Sequence, residues 1–463
     1  MSITAALNAA QSGLTAASRT AQAVSSNVAN ALTPGYGARE VALSSATSGG
    51  VAVDGVSRRS DIALVTERRG AEATAAAAGT LLSGLEAVQR AVGSAEEPGS
   101  VAARLGDLNA RLLEAASRPD SEVRLGSAAR AAGAVAEALN AAGAAVQDER
   151  LAADRGIAAA VGSLNEGLAR IDALNDLIVR LSATGGDTNA LVDQRQRAID
   201  AISEIVPLKQ IPREHGRVAL ITGTGRILLD GAPVEVTFDA TPGMAAGTVA
   251  GGLTVGTREI DMGDPRGQMA GGRLEALFAL RDAALPAAQA RLDALAGEIV
   301  KRFGAVQPAD VAGLFVDPGT GAGAAQRLAL SPDVDPAQGG DARWLRDGPG
   351  LAGPVGDATR LSALAAALER AEDPADAALG AGKRSLMGLG DALVGAETAA
   401  AFRAEGELAH ARGRVEALTE AELAQGVNTD AEMQKLMQLE QSYAANARVI
   451  QIAGSLIDQI LEI

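Results

Sequence analysis

The last helix predicted from the chain, Thr429 to Ile463, carries apolar residues at alternating steps of three and four. This spacing places them on one helix face, as in a coiled coil. The first row is Met433, Leu436, Tyr443, Ala447, Ile450, Gly454, Ile457 and Leu461, interrupted by Glu440. A second row on another face is Val449, Ile452, Leu456, Ile460 and Ile463. A helix that is apolar on two faces needs neighbours on two sides.

The other end of the chain has the same rhythm, in a helix predicted from about Ser2 to Asn30. Its seam is Ile3, Leu7, Ala10, Leu14, Ala17, Ala21, Val24, Val28 and Ala31. We therefore predict that the terminal helices pair as a coiled coil and that the rest of the chain is a long insertion. Because the N-terminal seam is mostly Ala and Val, apolar surface stays exposed, and we expect both ends to order fully only in an assembly. The alternative is an ordinary terminal helix on a globular core.

Local signals set the ends of these two helices. Thr429 and Glu432 have the spacing of a capping box, in which each side chain binds the other residue's backbone N–H. Pro34 ends the first helix, and Pro34-Gly35 is typical of a type II turn with positive φ at Gly35. The β-branched, Gly-interrupted stretch 41–65 favours extended segments.

The middle of the chain alternates in period. Helical spacing resumes near Glu67 and continues to Ser182, with breaks at Pro98 and Pro119. Further helices are predicted at 189–205, at 271–303 with a bend at Pro286, and at 361–424 with a break near Asp373-Pro374. Alternating β-type segments occupy 206–263, and 304–358 is rich in Gly, Pro and Asp.

These elements predict a mainly α fold with paired terminal helices, a long helical bundle body and a small inserted β subdomain, α+β overall. The predicted domains are a terminal coiled-coil domain (1–50 with 426–463), a helical bundle domain (51–205 with 264–303 and 359–425), a β subdomain (206–263) and a short variable outer insertion (304–358).

Composition narrows the classes of function. The 463 residues carry a net charge of −16, which argues against nucleic-acid binding and against an anionic membrane surface. The chain has no Cys, so thiol nucleophiles and Cys-ligated zinc are excluded. No run is long enough to span a membrane, and the first residues lack the features of a cleavable signal peptide.

Candidate chemical sites are weak. His215 lies in a predicted polar turn and His410 on a charged helix, so solvated structural roles are favoured over catalysis or metal binding. Gly223 and Gly225 fit a hairpin turn better than a dinucleotide loop. Asp333, Asp335 and Asp341 are calcium-ligand types without EF-hand spacing, which favours a solvated acidic loop. We predict no catalytic, cofactor or metal site and a protein that is not an enzyme.

Several stretches resemble one protein family. Residues 27–36 (NVANALTPGY), with Ser12-Gly13-Leu14 upstream, resemble the N-terminal signature of bacterial flagellar rod, hook and hook-associated proteins, and 426–451 resembles their C-terminal helix. The middle segments 189–200 (NALVDQRQRAID) and 271–286 (GGRLEALFALRDAALP) resemble the hook-associated protein 1 (FlgK) family. Gly37 stands where that family usually has Ser, which we expect to loosen the turn.

The resemblance implies a secreted structural protein of the flagellum at the junction between hook and filament. It implies export through the flagellar type III channel without signal cleavage, and assembly into a ring or tube with hook protein and hook-associated protein 3 as neighbours. A FlgN-type export chaperone would bind the C-terminal helix. Alternatives are a hook or rod subunit and, from another class, a secreted helical effector or adhesin.

Two sets of site residues follow from the resemblance and the seams. The signature turn is Asn30, Thr33, Pro34, Gly35 and Tyr36, in which Asn30 and Tyr36 are expected to fix the angle at which the first helix leaves the body. The assembly residues are Ile3, Leu7, Leu14, Val24, Val28, Met433, Leu436, Tyr443, Ile450, Ile457 and Leu461.

Overall fold

The computed structural model describes residues 3–33, 35–47, 49–94, 96–264, 266–306, 313–319 and 321–461. It is mainly α, as predicted. The helices are α1 (Ile3–Ala29), α2 (Ile62–Val92), α3 (Val101–Ser117), α4 (Glu122–Ala183), α5 (Asn189–Ser203), α6 (Gly272–Ala279), α7 (Leu285–Gly304), α8 (Ala324–Arg327), α9 (Trp344–Asp347), α10 (Thr359–Glu369), α11 (Leu386–Gln425) and α12 (Thr429–Leu461). None of the described helices is long and apolar enough to cross a membrane.

Short antiparallel sheets complete the described structure. The strands are β1 (Ala38–Ser45), β2 (Val51–Arg59), β3 (Leu208–Pro212), β4 (Val218–Thr222), β5 (Ile227–Asp230), β6 (Ala232–Pro233), β7 (Val236–Phe238), β8 (Leu253–Val255), β9 (Arg258–Ile260), β10 (Phe315–Val316) and β11 (Ala329–Leu330). They pair as β1-β2, β3-β4-β5-β6, β7-β8-β9 and β10-β11.

The chain divides into two compact units. Unit 1 comprises 1–75, 163–235 and 411–463, and unit 2 comprises 76–162 and 236–410. In unit 1, the buried apolar residues of α4 and α5, such as Leu164, Leu168, Ile199 and Ile202, form a core together with the four-stranded sheet. Helix α5 packs into this core through Ile199 and Ile202.

Unit 2 has its own core of fully buried aliphatic and aromatic side chains from its helices. Examples are Leu105, Leu108, Leu139, Leu292 and Phe303. Phe303 and Phe315 pack edge to face with ring centroids 5.4 Å apart, which ties the short strand β10 to α7. Unit 2 thus contains a continuous apolar interior of the kind that a folded domain needs.

Two helix starts differ from the sequence-based prediction. Helix α2 begins at Ile62, because the Asp61 carboxylate accepts hydrogen bonds from the N–H groups of Ala63 and Leu64. The extended segments are therefore β1 and β2 alone, and the predicted extension to Val65 is wrong. At α12 the cap is Asn428, whose Oδ1 accepts from the N–H of Ala431 at 3.0 Å, so the predicted Thr429 capping box is displaced by one residue.

The segment 206–263 contains two sheets rather than one. The sheet β3-β4-β5-β6 lies in unit 1 and the sheet β7-β8-β9 lies in unit 2. Gly223 and Gly225 lie in the turn between β4 and β5, with φ +95° at Gly225, as predicted for a hairpin. The predicted domain boundaries remain a prediction; the compact units group the chain differently, with a division between Glu235 and Val236.

Helix breaks follow the prolines. The chain leaves helical geometry between α2 and α3 and between α3 and α4, where Pro98 and Pro119 lie. Before Pro286 the helix widens into one π-helical stretch, Leu280–Ala284, and Pro286 then occupies the first turn of α7. A π-bulge beside a proline is a recognised cause of the bend that the sequence predicted there.

Buried charge also holds unit 2 together. Glu298 on α7 is 2% exposed and accepts hydrogen bonds from Arg302 Nε at 2.9 Å, Lys301 Nζ at 3.1 Å and the N–H of Ala375 at 2.7 Å. Burial alone would raise the pKa of Glu298, but these hydrogen bonds outweigh it and hold the pKa below its usual value. The ionised carboxylate therefore stabilises the fold.

We predict that Glu298→Gln lowers the free energy of unfolding at pH 7 by roughly 3 kcal/mol, because it leaves Arg302 buried without a charged partner. Since the folded pKa lies below the unfolded value of about 4.3, the stabilisation is present above that value and disappears as the pH falls through the folded pKa. Urea unfolding followed by the single tryptophan, Trp344, at pH 7 and pH 3 measures this.

The control is Glu405→Gln, at an exposed position of α11 in the same unit, for which we expect a change within about 0.5 kcal/mol at both pH values. An equal loss at pH 3 and pH 7 for Glu298→Gln would contradict the electrostatic explanation.

Candidate assembly site at the paired terminal helices

Helices α1 and α12 lie against each other in unit 1. Where the helices meet, a Cβ on Gly13 would lie 2.8 Å from Nδ2 of Asn446, so a larger residue there would displace the Asn446 side chain. Leu32, just after α1, and Val427, just before α12, line the same cavity. The end of α1 therefore lies near the beginning of α12, and the two helices run antiparallel. The predicted pairing of the two ends is thus present in a single chain.

The pairing covers little of α12. The buried residues of its described 33 positions are Glu432 and Ala453, and Leu436 and Ile450 are half-buried. Among the predicted assembly residues, Met433 and Tyr443 are about half exposed, at 50% and 53%. The large apolar side chains of α12 that remain exposed are Met433, Met437, Tyr443, Val449, Ile452, Leu456, Ile457, Ile460 and Leu461. Both predicted rows therefore reach the surface of the isolated chain; Ile463 lies outside the described residues.

On α1 the small residues of the seam are the ones that are covered. Ala10, Ala17 and Val24 are buried, whereas Val28 is 37% exposed. Ile3, Leu7 and Leu14 are half-buried. Part of the N-terminal assembly set is therefore covered within the single chain, and much of the C-terminal set is left uncovered.

The signature turn follows α1 directly. The N–H of Tyr36 donates to the carbonyl of Thr33 at 3.2 Å, and Gly35 has φ +75°, as the predicted turn requires. Asn30 Nδ2 donates to the carbonyl of Ser26 at 2.9 Å, and the same carbonyl also accepts from the backbone N–H of Asn30 at 3.1 Å. Pro34 lies outside the described residues.

Asn27 is a central residue of this turn that the sequence analysis did not single out. It is 1% exposed, and its Oδ1 accepts from the Tyr36 hydroxyl at 2.8 Å. It also exchanges two hydrogen bonds with the backbone of Arg39, one through Oδ1 and one through Nδ2. One buried amide thereby joins the end of α1, the turn and β1. The available signal was a polar residue at a position where the helix buries apolar ones.

Asp193 on α5 holds the other side of the turn. It is 4% exposed and accepts from Arg58 Nε at 2.8 Å and from the N–H of Gly37 at 3.4 Å. Arg58 also donates to the carbonyl of Gly35 at 3.1 Å, and Arg39 lies 3.5 Å from Asp193. Charge-assisted hydrogen bonds of this kind are geometrically specific. The turn is thus fixed to α5 by a buried ionic cluster.

Gly37 makes this cluster possible. A Cβ at residue 37 would overlap the Cγ and Nε of Arg58. Gly37 is buried, so there is no open side into which a side chain could turn. The expectation that Gly37 loosens the turn stays a prediction; in this structure the Arg58 side chain occupies the space beside Gly37 and reaches Asp193.

A cavity of about 270 Å³ lies between the turn and the start of α12 in unit 1. Its rim includes Leu32, which is 89% exposed, and Leu423, which is 55% exposed. Its floor contains Arg68 with the carboxylates of Glu72 and Glu422. Burial raises the pKa of Glu72, and its ion pair with Arg68 opposes that shift only in part.

The other candidate residues occupy structural settings. His215 lies in an exposed 3-10 turn with φ 56°, and His410 is exposed on α11. Asp335 Oδ1 caps the N–H of Ala337, and Asp341 pairs with Arg343. Within the described residues no group of three or more His, Asp or Glu side chains could hold a metal ion.

Family models match both the middle and the C-terminal end of the chain. The flagellar hook-associated protein FlgK helical domain matches residues 85–319, which is more than half of the chain, and the flagellar basal body rod FlgEFG protein C-terminal family matches residues 423–463. Among solved structures, the flagellar hook junction protein FlgK from Burkholderia pseudomallei is similar, at 20% identity and a TM-score of 0.47. That similarity covers 54% of this chain and 46% of that one, so the chain spans about half the length of this relative. No curated protein matches.

We predict that Gly37→Ala lowers the free energy of unfolding of unit 1 by about 1–3 kcal/mol, because the added methyl group displaces Arg58 from Asp193. Gly70→Ala in α2 is the control, since a Cβ there meets nothing within 4 Å; it should raise stability by about 0.5–1 kcal/mol. Amide hydrogen exchange in α5 reports the difference. The same effect from both substitutions would show that Arg58 does not need this space.

Proposed function

Because the chain belongs to the flagellar hook-associated protein FlgK family, we propose that it is the structural axial protein that forms the junction between hook and filament. The role is structural rather than enzymatic, and filament assembly requires it. The protein would act outside the cell as part of the flagellum, after export through the flagellar type III channel without cleavage of a signal peptide.

The exposed apolar surface of α12 supports this proposal most directly. Ile452, Ile460 and Leu461 are 60%, 61% and 78% exposed, although each would contribute about 1.5–3 kcal/mol if fully buried. Large contiguous apolar patches on a folded chain mark contact surfaces. In the proposed junction, copies of the chain form a ring or tube in which the terminal helices of neighbouring subunits cover one another.

The partners follow from this position. Hook protein would lie on one side of the ring and hook-associated protein 3 on the other, and a FlgN-type chaperone would cover α12 before export. The alternative is a hook or rod subunit, since the C-terminal match is one that names rod proteins. The helical domain over 85–319 favours the junction.

Removal of the protein tests the proposal. In a strain that lacks it we expect hooks without filaments in negative-stain images, because filament assembly would have no starting ring. Complementation with the wild-type chain is the control. Normal filaments in the deletion strain would eliminate the junction role.

We predict that Ile452→Ser with Ile460→Ser abolishes junction assembly and leaves the monomer's free energy of unfolding unchanged within about 0.5 kcal/mol, because both side chains are exposed in the single chain. Gln459→Ser, exposed on the same helix, is the matched control and should assemble normally. Motility and negative-stain counts of filaments provide the measurement. Normal filament numbers in the double variant would contradict a role of this surface in assembly.

Hydrogen exchange distinguishes the free from the assembled chain. We expect fast amide exchange in α12 of the monomer and slow exchange in isolated junctions, because packing between subunits would suppress the local opening of this helix. Equal protection in both forms would contradict the proposal that neighbouring subunits cover α12.

A further inference from the structure

Helix α5 carries a polar stripe at a helical repeat. Asn189, Asp193, Gln196 and Asp200 follow one another at steps of four, three and four, which places them on one face. We call this set the polar stripe of α5. Asp193 holds the signature turn through Gly37 and Arg58, and the other three residues bind neighbouring segments of unit 1.

The N-terminal half of the polar stripe binds the segment that leads out of α1. Asn189 Nδ2 donates to the carbonyl of Val56 on β2 at 3.0 Å. One turn later, Asp193 accepts from Arg58 on the same strand and from the turn residue Gly37. This half of the stripe therefore fixes the hairpin β1–β2 and the turn from which α1 departs.

The C-terminal half of the polar stripe binds two arginines of α2, one of which reaches the segment that leads into α12. Asp200 Oδ1 accepts from Arg69 Nε at 2.7 Å and from Arg68 Nη2 at 3.0 Å. Gln196 Oε1 accepts from Arg69 Nη2 at 2.8 Å. Arg68 in turn donates from Nε to Glu422 at 2.5 Å, within the last turn of α11. Helix α11 ends three residues later, and α12 begins after the short connection 426–428.

The opposite side of α5 is anchored in the core of unit 1. Ile199 and Ile202 are buried, and the buried Arg195 donates to Oδ1 of Asn175 at 2.8 Å and to the carbonyl of Gly216 at 2.7 Å. Because α5 is fixed on this side, a group bound to its polar stripe is fixed relative to the core as well.

We propose that α5 is the positioning element for both terminal helices, with Asp193 setting the exit of α1 and Asp200 setting the entry of α12. This inference deepens the proposed function and rests on it for its consequence. The two residues act through the turn and through Arg68, so they are positioning residues and make no contact with a neighbouring subunit in this account.

The length of α12 shows why its base must be fixed. Thirty-three residues span about 50 Å at 1.5 Å per residue. A tilt of about 10° at the base moves the far end by roughly 9 Å, close to the interaxial distance of two packed helices. A loosely held base would therefore place the exposed rows of α12 beyond reach of their proper neighbours.

Paired spin labels on the monomer test this directly. The chain has no Cys, so two engineered cysteines carry the only labels. One is placed at Lys209 on β3 and the other at Met437 on α12, both exposed positions of unit 1. We expect a single narrow distance peak for the parent chain and loss of that peak in Asp200→Asn. A second pair, Lys209 with Ser18 on α1, should lose its peak in Asp193→Asn.

Glu204→Gln, at an exposed carboxylate just beyond α5, is the control and should retain both peaks. Narrow, unshifted peaks in folded Asp193→Asn and Asp200→Asn would overturn the inference. If Asp193→Asn does not fold, Gly37→Ala, which displaces Arg58 and leaves α5 intact, takes its place, and an unchanged peak for the α1 label would again overturn it.

A separate readout distinguishes this inference from the proposed function. Filament assembly is scored with the same variants in the deletion strain, where broadened peaks together with lost filaments support both. Broadened peaks with normal filaments would leave α5 as a positioning element of the monomer and contradict its need in the junction.

Discussion

Helix α12 presents a large apolar surface that its own chain does not cover. Burial of apolar area is the main favourable term in folding, and a helix that buries two side chains over 33 positions receives little of it. Such a helix keeps its place only if its base is held and its surface is later covered. The first condition is met within the chain, and in the proposed junction neighbouring subunits would meet the second.

Ionic contacts hold the base of α12, and such contacts constrain geometry more narrowly than apolar contacts do. Apolar side chains of similar size tolerate exchange and small displacements, because dispersion and burial have little directional preference. A guanidinium bound to a carboxylate has a narrow geometry, and breaking one partner of a buried pair is costly. Arg68 with Asp200 and with Glu422 is a contact of this kind near the base of α12, and Arg58 with Asp193 is one at the turn after α1.

The terminal helices and the helix breaks at prolines were predicted well from the sequence, for a physical reason. Heptad spacing and proline breaks are visible in any stretch of a dozen residues, so the terminal helices, their pairing and the breaks near Pro98 and Pro119 could be predicted. The contacts of Asn27, Arg58 and Asp193 could not, because they join residues up to 156 positions apart. No local pattern records which arginine reaches which carboxylate.

Local competition explains the smaller errors. Asp61 and Asn428 lie one position before the first helical residue, which is where a side-chain oxygen reaches the free N–H groups. Thr429 offered a plausible capping box, but an asparagine just before it caps the helix instead. The division of 206–263 into two sheets depends on which strands pair. The alternation of apolar and polar residues along a strand shows which face is buried, but it does not show which strand is the partner.

Ionic contacts stabilise both units, but the units differ in the aromatic residues that they contain. All five Phe residues and the single Trp lie in unit 2, where Phe238 and Phe278 also flank the buried Arg281. Unit 1 has neither Phe nor Trp, and its N-terminal seam is built largely from Ala and Val. Small side chains let the axes of α1 and α12 approach closely but bury little area each. In unit 1 the ionic contacts of Asp193 and Asp200 constrain the local geometry, and in the proposed junction the apolar area of α12 would be covered by neighbouring subunits.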